Sequence, residues 1–235
     1  MKRRALFLLL FLTLIFGSLE ALRLVYERAA IKRQPTLQEE VRAIEARYQS
    51  TPAKAGAFLF VGSSSIRRWS ALEESMHPLA VLNHGFGGSE LEDIIQHRKA
   101  LIDEHAPGAV ILYCGDNDLG PASPKTAIEV TQTYKRLVQG LEELDPRLRI
   151  FCLSIKPSPA RLGRWPLMKS VNRSMRTWCE DRVQVTYLDV TEPLLDERNL
   201  PRPELYEEDG IHLNPSGYER WTTVIRPALE QLNFE

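Results

Sequence analysis

The sequence contains little cysteine and little histidine. Its 235 residues include three cysteines, Cys114, Cys152 and Cys179, and five histidines. No CxxC pair and no ligand-like spacing of cysteine with histidine is present, so the sequence indicates neither a zinc site nor a disulfide framework. Buried free thiols are the simplest interpretation, because free cysteine behaves as a small hydrophobic residue. A Cys114–Cys152 disulfide is an alternative if the protein lies in an oxidising compartment.

An excess of one charge is also missing. The 30 basic and 31 acidic residues are mixed along the chain and give a formal net charge of -1. Proteins that bind nucleic acid usually carry a basic surface, so we expect no nucleic-acid partner. The hydrophobic fraction of 43% is that of a globular protein, and the length is enough for one domain with one core.

One long uncharged run is found, and it lies at the amino terminus. Three basic residues at positions 2–4 precede residues 5–19, which carry no charge. This order is typical of a secretory signal or a membrane anchor. The run is shorter than the roughly 17 to 25 residues of a spanning helix, but it could continue past Glu20. We expect residues 1–33 to form a hydrophobic helix that acts as a signal peptide or membrane anchor.

The location of the remaining chain is predicted from the charges around this run. No clean A-x-A cleavage site follows it, which favours an uncleaved anchor over a cleaved peptide. Four basic residues follow the run and compete with the leading three: Arg23, Arg28, Lys32 and Arg33. We expect the rest of the protein to lie outside the cytoplasm, in the periplasm if the source is bacterial, with the membrane as a partner through the N-terminal segment.

The segment that follows is charged, and its composition predicts a linker at residues 50–56. Thr36 and Glu39 have the spacing of a capping box and predict a helix to about Gln49. We therefore divide the chain into a charged helix and linker at 34–56 and a folded domain at 57–235.

An alternation of strand-like and helix-like segments characterises this domain. Runs rich in Val, Ile, Leu and Phe are separated by segments in which apolar residues recur with the spacing of an α-helix. The apolar runs are unbroken by polar residues, which favours a parallel sheet that is buried on both faces. The expected class is α/β with five strands and helices on both faces. The predicted strands are Ala57–Val61, Leu79–Leu82, Ala109–Cys114, Arg149–Ile155 and Val183–Leu188. Ligands of such sheets bind at the carboxyl ends of the strands, where the loops carry the chemistry.

The loop after the first predicted strand contains Ser63, Ser64 and Ser65 directly after Gly62. A serine hydroxyl at this edge can act as a nucleophile if a base removes its proton. By itself, a serine-rich loop is more often a turn or a helix cap than a catalytic site.

The second loop is rich in glycine and precedes a helix that we expect Ser89 and Glu92 to cap. Backbone N–H groups at a helix start favour negative charge, so Gly88 is a candidate oxyanion donor. A dinucleotide-binding loop is the alternative, but Glu90 stands where the third glycine of that motif belongs.

The third loop contains Asp116, Asn117 and Asp118. The Asn117 amide is a neutral donor of the kind that bonds a developing oxyanion. The same residues fit a plain Asx-rich turn. A hard-cation site formed by Asp116 and Asp118 with Asp209 is a further alternative, although no larger carboxylate cluster supports it.

The most specific segment lies near the carboxyl end, where Asp209 precedes His212 by three residues. An aspartate at this spacing can accept the Nδ1–H of the ring while Nε2 faces a hydroxyl, as in a serine triad. The other four histidines have no such neighbour, so we expect them to be surface or packing residues.

Taken together, Gly62-Ser63-Ser64, Gly88, Gly115-x-Asn117-Asp118 and Asp209-x-x-His212 resemble, in order, the four sequence blocks of the SGNH or GDSL hydrolases. The departure is Ser63, which stands where the family name has aspartate. The resemblance implies a three-layer, flavodoxin-like fold and hydrolysis of acyl esters without metal or cofactor. It implies Ser64 as nucleophile, since this residue takes the third position of the G-x-S block, with Asp209 and His212 completing the triad. It also implies an oxyanion hole formed by the Ser64 amide, the Gly88 amide and the Asn117 side chain.

The substrate is predicted less directly. An extracytoplasmic hydrolase of this kind would act on O-acetylated glycans or on lipid esters. Arginines such as Arg161 and Arg164 could flank a ligand, but arginines of this kind more often lie on the solvated surface. A non-catalytic glycan-binding module on the same scaffold and a metal-dependent phosphoesterase are the alternative functions.

Overall fold

The described part of the chain, in this computed structural model, comprises residues 35–49 and 53–232. The hydrophobic helix predicted within residues 1–33 lies outside these residues. Within them, no helix has both the length and the apolar character needed to cross a membrane.

A parallel sheet of five strands in the order β2-β1-β3-β4-β5 forms the centre of the fold. This confirms the predicted α/β class. The strand bounds are β1 Phe58–Gly62, β2 Val81–Gly85, β3 Ala109–Tyr113, β4 Arg149–Leu153 and β5 Val185–Leu188. Every residue of β1 and β3 is buried, as the unbroken apolar runs predicted. The prediction was wrong for the bounds of β2, which starts two residues later than expected and continues through Asn83 and His84. The strand can include these two polar residues because their side chains find hydrogen-bond partners.

Helices cover both faces of the sheet and give three layers. Side chains of β1 alternate between two cores, with Leu59 and Val61 on one side and Phe58 and Phe60 on the other. The first core is covered by α1 Leu37–Tyr48, α4 Leu91–Gln96, α5 Arg98–Leu101, α6 Ala127–Leu144 and α7 Trp165–Glu180. The second core is covered by α2 Ser64–Arg67, α3 Leu72–Met76 and α8 Pro215–Glu230. Short 3-10 turns lie at Asp103–His105, Pro159–Arg164, Glu192–Leu194 and Pro203–Leu205.

The start of α4 differs from the prediction. Glu90 and Asp93 form its capping box, whereas the Ser89 hydroxyl donates to the Phe86 carbonyl at 3.1 Å. The predicted pair, Ser89 with Glu92, was therefore displaced by one position. Such shifts are common because several short polar side chains can compete for the first free N–H groups of a helix.

The charged helix α1 belongs to the same packed unit as the sheet. Val41 and Ile44 are buried in the first core, and the compact unit begins at Leu37. The unit predicted to start at residue 57 therefore extends back through α1. Tyr48, at the end of α1, also contacts β2, since its hydroxyl lies 2.9 Å from Nε2 of His84.

The three cysteines are buried free thiols. This agrees with the simpler interpretation of their spacing. The structure does not contain the alternative Cys114–Cys152 disulfide.

We predict that the buried His84 makes stability depend on pH. Burial, opposed by the bond to the Leu101 carbonyl, lowers the pKa of His84 from 6.5 to about 4. Between these pH values the unfolded chain binds the extra proton, so the free energy of unfolding should fall as the pH falls, by about 3 kcal/mol from this residue. Urea unfolding of wild type and His84→Gln between pH 7 and pH 4 measures the effect. Parallel curves for the two proteins would contradict it.

Candidate active site

Ser64 is the first residue of α2 and directly follows β1 through Ser63. The tight connection requires Gly62, because a Cβ there would lie 1.9 Å from the Tyr113 carbonyl oxygen. Ser64 is 8% exposed, and its Oγ lies 2.8 Å from Nε2 of His212. The strand end thus presents a hydroxyl within hydrogen-bond distance of an imidazole.

The imidazole of His212 is held by Asp209. Nδ1 of the ring lies 2.6 Å from Asp209 Oδ2, while Oδ1 accepts the backbone N–H groups of Ile211 and His212 at 2.8 and 2.9 Å. Gly210 permits this turn with a φ of 62°, a conformation that favours glycine. With Nδ1–H donated to the carboxylate, Nε2 is the nitrogen that can accept the Ser64 proton.

The carboxyl-terminal segment is fixed to α2, the helix that begins with Ser64, by Tyr218 of α8. Its hydroxyl donates to the Ser65 carbonyl at 2.8 Å, and its ring stacks on Trp69 with centroids 5.1 Å apart. Asn214 caps α8 by accepting the Gly217 N–H at 3.0 Å. These contacts place His212 beside Ser64 through packed, buried groups.

Burial keeps His212 neutral near pH 7, and hydrogen bonds keep Asp209 ionised. Burial lowers the pKa of His212, and the positive charge of Arg68 lowers it further, while Asp209 opposes both. Burial alone would raise the pKa of Asp209, but bonds from the His212 ring and from two backbone N–H groups hold it well below its usual value. A neutral imidazole is the form that can accept a proton.

Two of the predicted oxyanion donors, Gly88 and Asn117, lie on the loops that follow the two neighbours of β1, and the third, the Ser64 N–H, lies at the start of α2. Gly88 is exposed, has a φ of 72°, and would meet no atom within 4 Å if it carried a Cβ. Among the described residues, neither the Gly88 N–H nor the Ser64 N–H donates a hydrogen bond to a backbone carbonyl. Asn117 donates one amide hydrogen to the Ser89 carbonyl at 3.0 Å, which leaves its second hydrogen for another acceptor.

Arg161 is a site residue whose position the sequence did not predict. Its Nη2 donates to Asn117 Oδ1 at 3.0 Å, and its Nη1 donates to the Asp116 carbonyl at 2.7 Å. The side chain is 14% exposed, so it is neither a solvated arginine nor a free ligand for an acidic group. Because Arg161 can only donate, it fixes which end of the Asn117 amide is oxygen and directs the NH₂ group away from itself.

The carboxylates of the alternative cation site are paired with cationic side chains. Asp116 Oδ2 lies 3.3 Å from Lys156 Nζ, and Asp118 Oδ1 lies 3.0 Å from Lys125 Nζ. Burial opposes ionisation of Asp116, but Lys156 and Arg161 lower its pKa. Over the described ranges, no group of three or more His, Cys, Asp or Glu side chains could hold a metal ion.

Comparison with known proteins places the chain within a family. A sequence profile described as the GDSL-like lipase/acylhydrolase family matches residues 35–220, which is more than half of the chain. The chain belongs to the GDSL-like lipase/acylhydrolase family. The matched region of this GDSL-like protein begins before α1, in agreement with the packing of that helix on the sheet.

Individual relatives agree with the assignment to the GDSL-like family. The chain is 26% identical over 170 residues to the platelet-activating factor acetylhydrolase IB subunit alpha1 of Homo sapiens, covering 68% of this chain and 69% of the relative. The protein of the same name from Bos taurus gives the same identity and coverage.

The GDSL-like fold is also seen in solved structures. A GDSL-like lipase from Bacteroides thetaiotaomicron matches with a TM-score of 0.72 and 13% identity, covering 81% of this chain and 97% of the other. A carbohydrate esterase family 3 protein from Talaromyces cellulolyticus matches with a TM-score of 0.60 and 16% identity, covering 74% and 97%. At these identities the likeness shows a shared fold.

We predict that Arg161 sets the orientation of the Asn117 amide. Arg161→Met should lower kcat for an ester substrate by about tenfold or more, because a freely rotating amide no longer presents its NH₂ group, and a lost oxyanion donor typically costs a hundredfold to a thousandfold. Steady-state kinetics check this. Arg164→Met is the matched control, because this exposed neighbour donates to the Pro121 carbonyl. Equal kcat values for the two variants would contradict the prediction.

Proposed function

We propose that the protein hydrolyses carboxylic esters through an acyl-enzyme formed on Ser64. The observation that carries the proposal is the hydrogen-bonded series from Ser64 to His212 to Asp209, with contacts of 2.8 and 2.6 Å, in a GDSL-like fold. The proposed roles are Ser64 as nucleophile, His212 as general base and Asp209 as the group that orients the ring.

In the proposed first step, Ser64 Oγ attacks the ester carbonyl while His212 Nε2 accepts the hydroxyl proton. The tetrahedral intermediate collapses, the C–O bond to the alcohol breaks, and His212 returns the proton to the leaving alkoxide. Water then attacks the acyl-enzyme with His212 again as base, which releases the acid and restores Ser64. Asp209 stabilises the imidazolium that forms in each half-reaction.

The proposed oxyanion hole consists of the Ser64 N–H, the Gly88 N–H and the second amide hydrogen of Asn117. The register of the sheet supports this arrangement, because Gly62 at the end of β1 pairs with Gly85 on one side and Tyr113 on the other. The loops that follow these three residues therefore start side by side. Each such donor typically contributes about 3 to 4 kcal/mol to stabilisation of the transition state.

For the substrate, we propose acetyl esters of a glycan or a lipid. The name of the 26% identical human relative, an acetylhydrolase, supports a short acyl group. The basic and then uncharged sequence at residues 2–19 supports our further proposal that the enzyme works outside the cytoplasm, anchored or secreted.

We predict that ester hydrolysis depends on Ser64, His212 and Asn117 to different degrees. Ser64→Ala and His212→Ala should each lower kcat by about ten thousandfold or more, since the two groups act as one unit. Asn117→Ala should lower it by about a hundredfold to a thousandfold. A panel of acetyl and longer acyl esters, with acetylated glycans, measures these effects.

A fluorophosphonate probe provides an independent readout of the same proposal. It should label wild type on Ser64 and leave His212→Ala largely unlabelled. Full activity in His212→Ala would contradict the proposed mechanism. Loss of wild-type activity in a chelator would favour the metal-dependent alternative, and the absence of both labelling and turnover would favour a binding module.

We predict that Arg68 shifts the pH dependence of the reaction. Its guanidinium lies 3.8 Å from Asp209 and lowers the pKa of His212, the group whose neutral form acts as base. In Arg68→Gln, the acid limb of the kcat/KM profile should therefore move to higher pH, whereas Arg68→Lys should keep it near the wild-type position. Because Arg68 is about half exposed, the difference should shrink in high salt. Overlapping profiles for wild type and Arg68→Gln at low salt would refute the assignment.

A further inference from the structure

Glu40 of α1 reaches the loop that carries Gly88. One of its carboxylate oxygens, Oε2, accepts the backbone N–H of Gly87, and the other accepts from Arg67 Nη1. The Glu40 side chain is only 10% exposed, so these bonds are largely shielded from water. A carboxylate with charged and backbone partners in such a setting makes stronger hydrogen bonds than a surface pair.

Arg67 contacts both Glu40 and Gly87. It lies in α2, the helix that begins with Ser64, and its guanidinium packs against Gly87, where an added Cβ would lie 2.7 Å from Arg67 Cζ. Gly87 therefore contacts both members of the Glu40–Arg67 pair. The three residues connect α1, the nucleophile helix and the oxyanion loop.

We propose that Glu40 is a positioning residue for the oxyanion hole. By fixing the Gly87 N–H and Arg67 together, Glu40 sets the direction of the next peptide and hence of the Gly88 N–H relative to Ser64. This inference rests on the proposed function for its kinetic consequence. It adds a residue that lies before all four sequence blocks and that touches no reacting atom.

The helix α1 is suited to this task because its position is fixed elsewhere. Val41 and Ile44, one and four residues after Glu40, are buried in the first core. Tyr48 bonds His84 of β2, the strand that leads into the loop. Glu40 is therefore presented by a helix that is anchored on both its apolar face and its carboxyl end.

The test compares Glu40→Gln with Glu45→Gln, a matched control that makes the same charge change at an exposed position of α1. Glutamine keeps the size of the Glu40 side chain but has no negative charge. Its NH₂ group, which replaces one carboxylate oxygen, cannot accept a hydrogen bond from Arg67. We expect kcat for an acetyl ester to fall about tenfold with little change in KM, because a displaced oxyanion donor affects the transition state more than the bound substrate. Binding of a trifluoromethyl ketone, which forms a tetrahedral adduct with serine, should weaken by the same factor.

A merely structural role for Glu40 would give a different pattern. In that case the melting temperature would fall, while kcat and the affinity for the ketone stayed at the values of the control, and the inference would be overturned. Glu40→Asp provides a second variant that keeps the charge but shortens the side chain. It should show a smaller loss of kcat in the same direction, and a kcat equal to that of wild type in both Glu40 variants would also overturn the inference.

A measurement without catalysis separates this inference from the proposed function. In the Ser64→Ala background, Glu40→Gln should speed hydrogen exchange at the Gly87 amide, followed by NMR, whereas Glu45→Gln should leave it unchanged. Unchanged exchange at Gly87 would overturn the positioning role even if the esterase is real. If hydrogen exchange at Gly87 is faster but turnover does not depend on Ser64, the positioning role of Glu40 would be supported and only the proposed function would be rejected.

Discussion

The hydrogen bond between Ser64 and His212 joins residues 148 positions apart, and the site exists only because the fold closes that distance. Two features of the fold bring the residues together. The parallel sheet collects the loops after β1, β2 and β3 at one edge, and α8 packs on the second core with Trp221 and Ile225 fully buried. The bond from Tyr218 to the Ser65 carbonyl then sets the position of the carboxyl-terminal segment.

The charges around the site show how such a geometry is maintained. Asp116 and Lys156 are almost fully buried and lie beside each other, and Arg161 extends from them to Asn117. Removing one partner of a buried pair leaves an uncompensated charge, so such pairs resist rearrangement even where they add little net stability. On the opposite side of the site, Glu40 and Arg67 form a similar pair around Gly87. In our account, each oxyanion loop is therefore held by a charged side chain from another element.

Much of the fold was predictable because it depends on local patterns. The strands β1 and β3 were recognised from unbroken apolar runs, and every residue of both strands is buried. The adjacency of Ser64 and His212 was predicted from short motifs and is seen in the structure, but their catalytic roles stay predictions. The family resemblance was confirmed by the profile match over residues 35–220.

The features that sequence reasoning missed depend on distant partners. His84 extends β2 because Tyr48 and the Leu101 carbonyl satisfy its ring nitrogens, and neither partner is evident from the sequence around it. Arg161 lies 44 residues from Asn117, and Glu40 lies 47 residues from Gly87. No local periodicity or motif marks such contacts, since they arise only when separate elements meet at the edge of the sheet. The predicted start of the domain at residue 57 left out α1 for the same reason.

The most direct test of the central claim is rapid-quench mass spectrometry of the protein during turnover of an activated acetyl ester. Our account predicts a transient adduct with the mass of one acetyl group, located by proteolysis on the peptide that contains Ser64, and formed and lost at rates consistent with kcat. Turnover with no such adduct, or with the acetyl group on another residue, would contradict it.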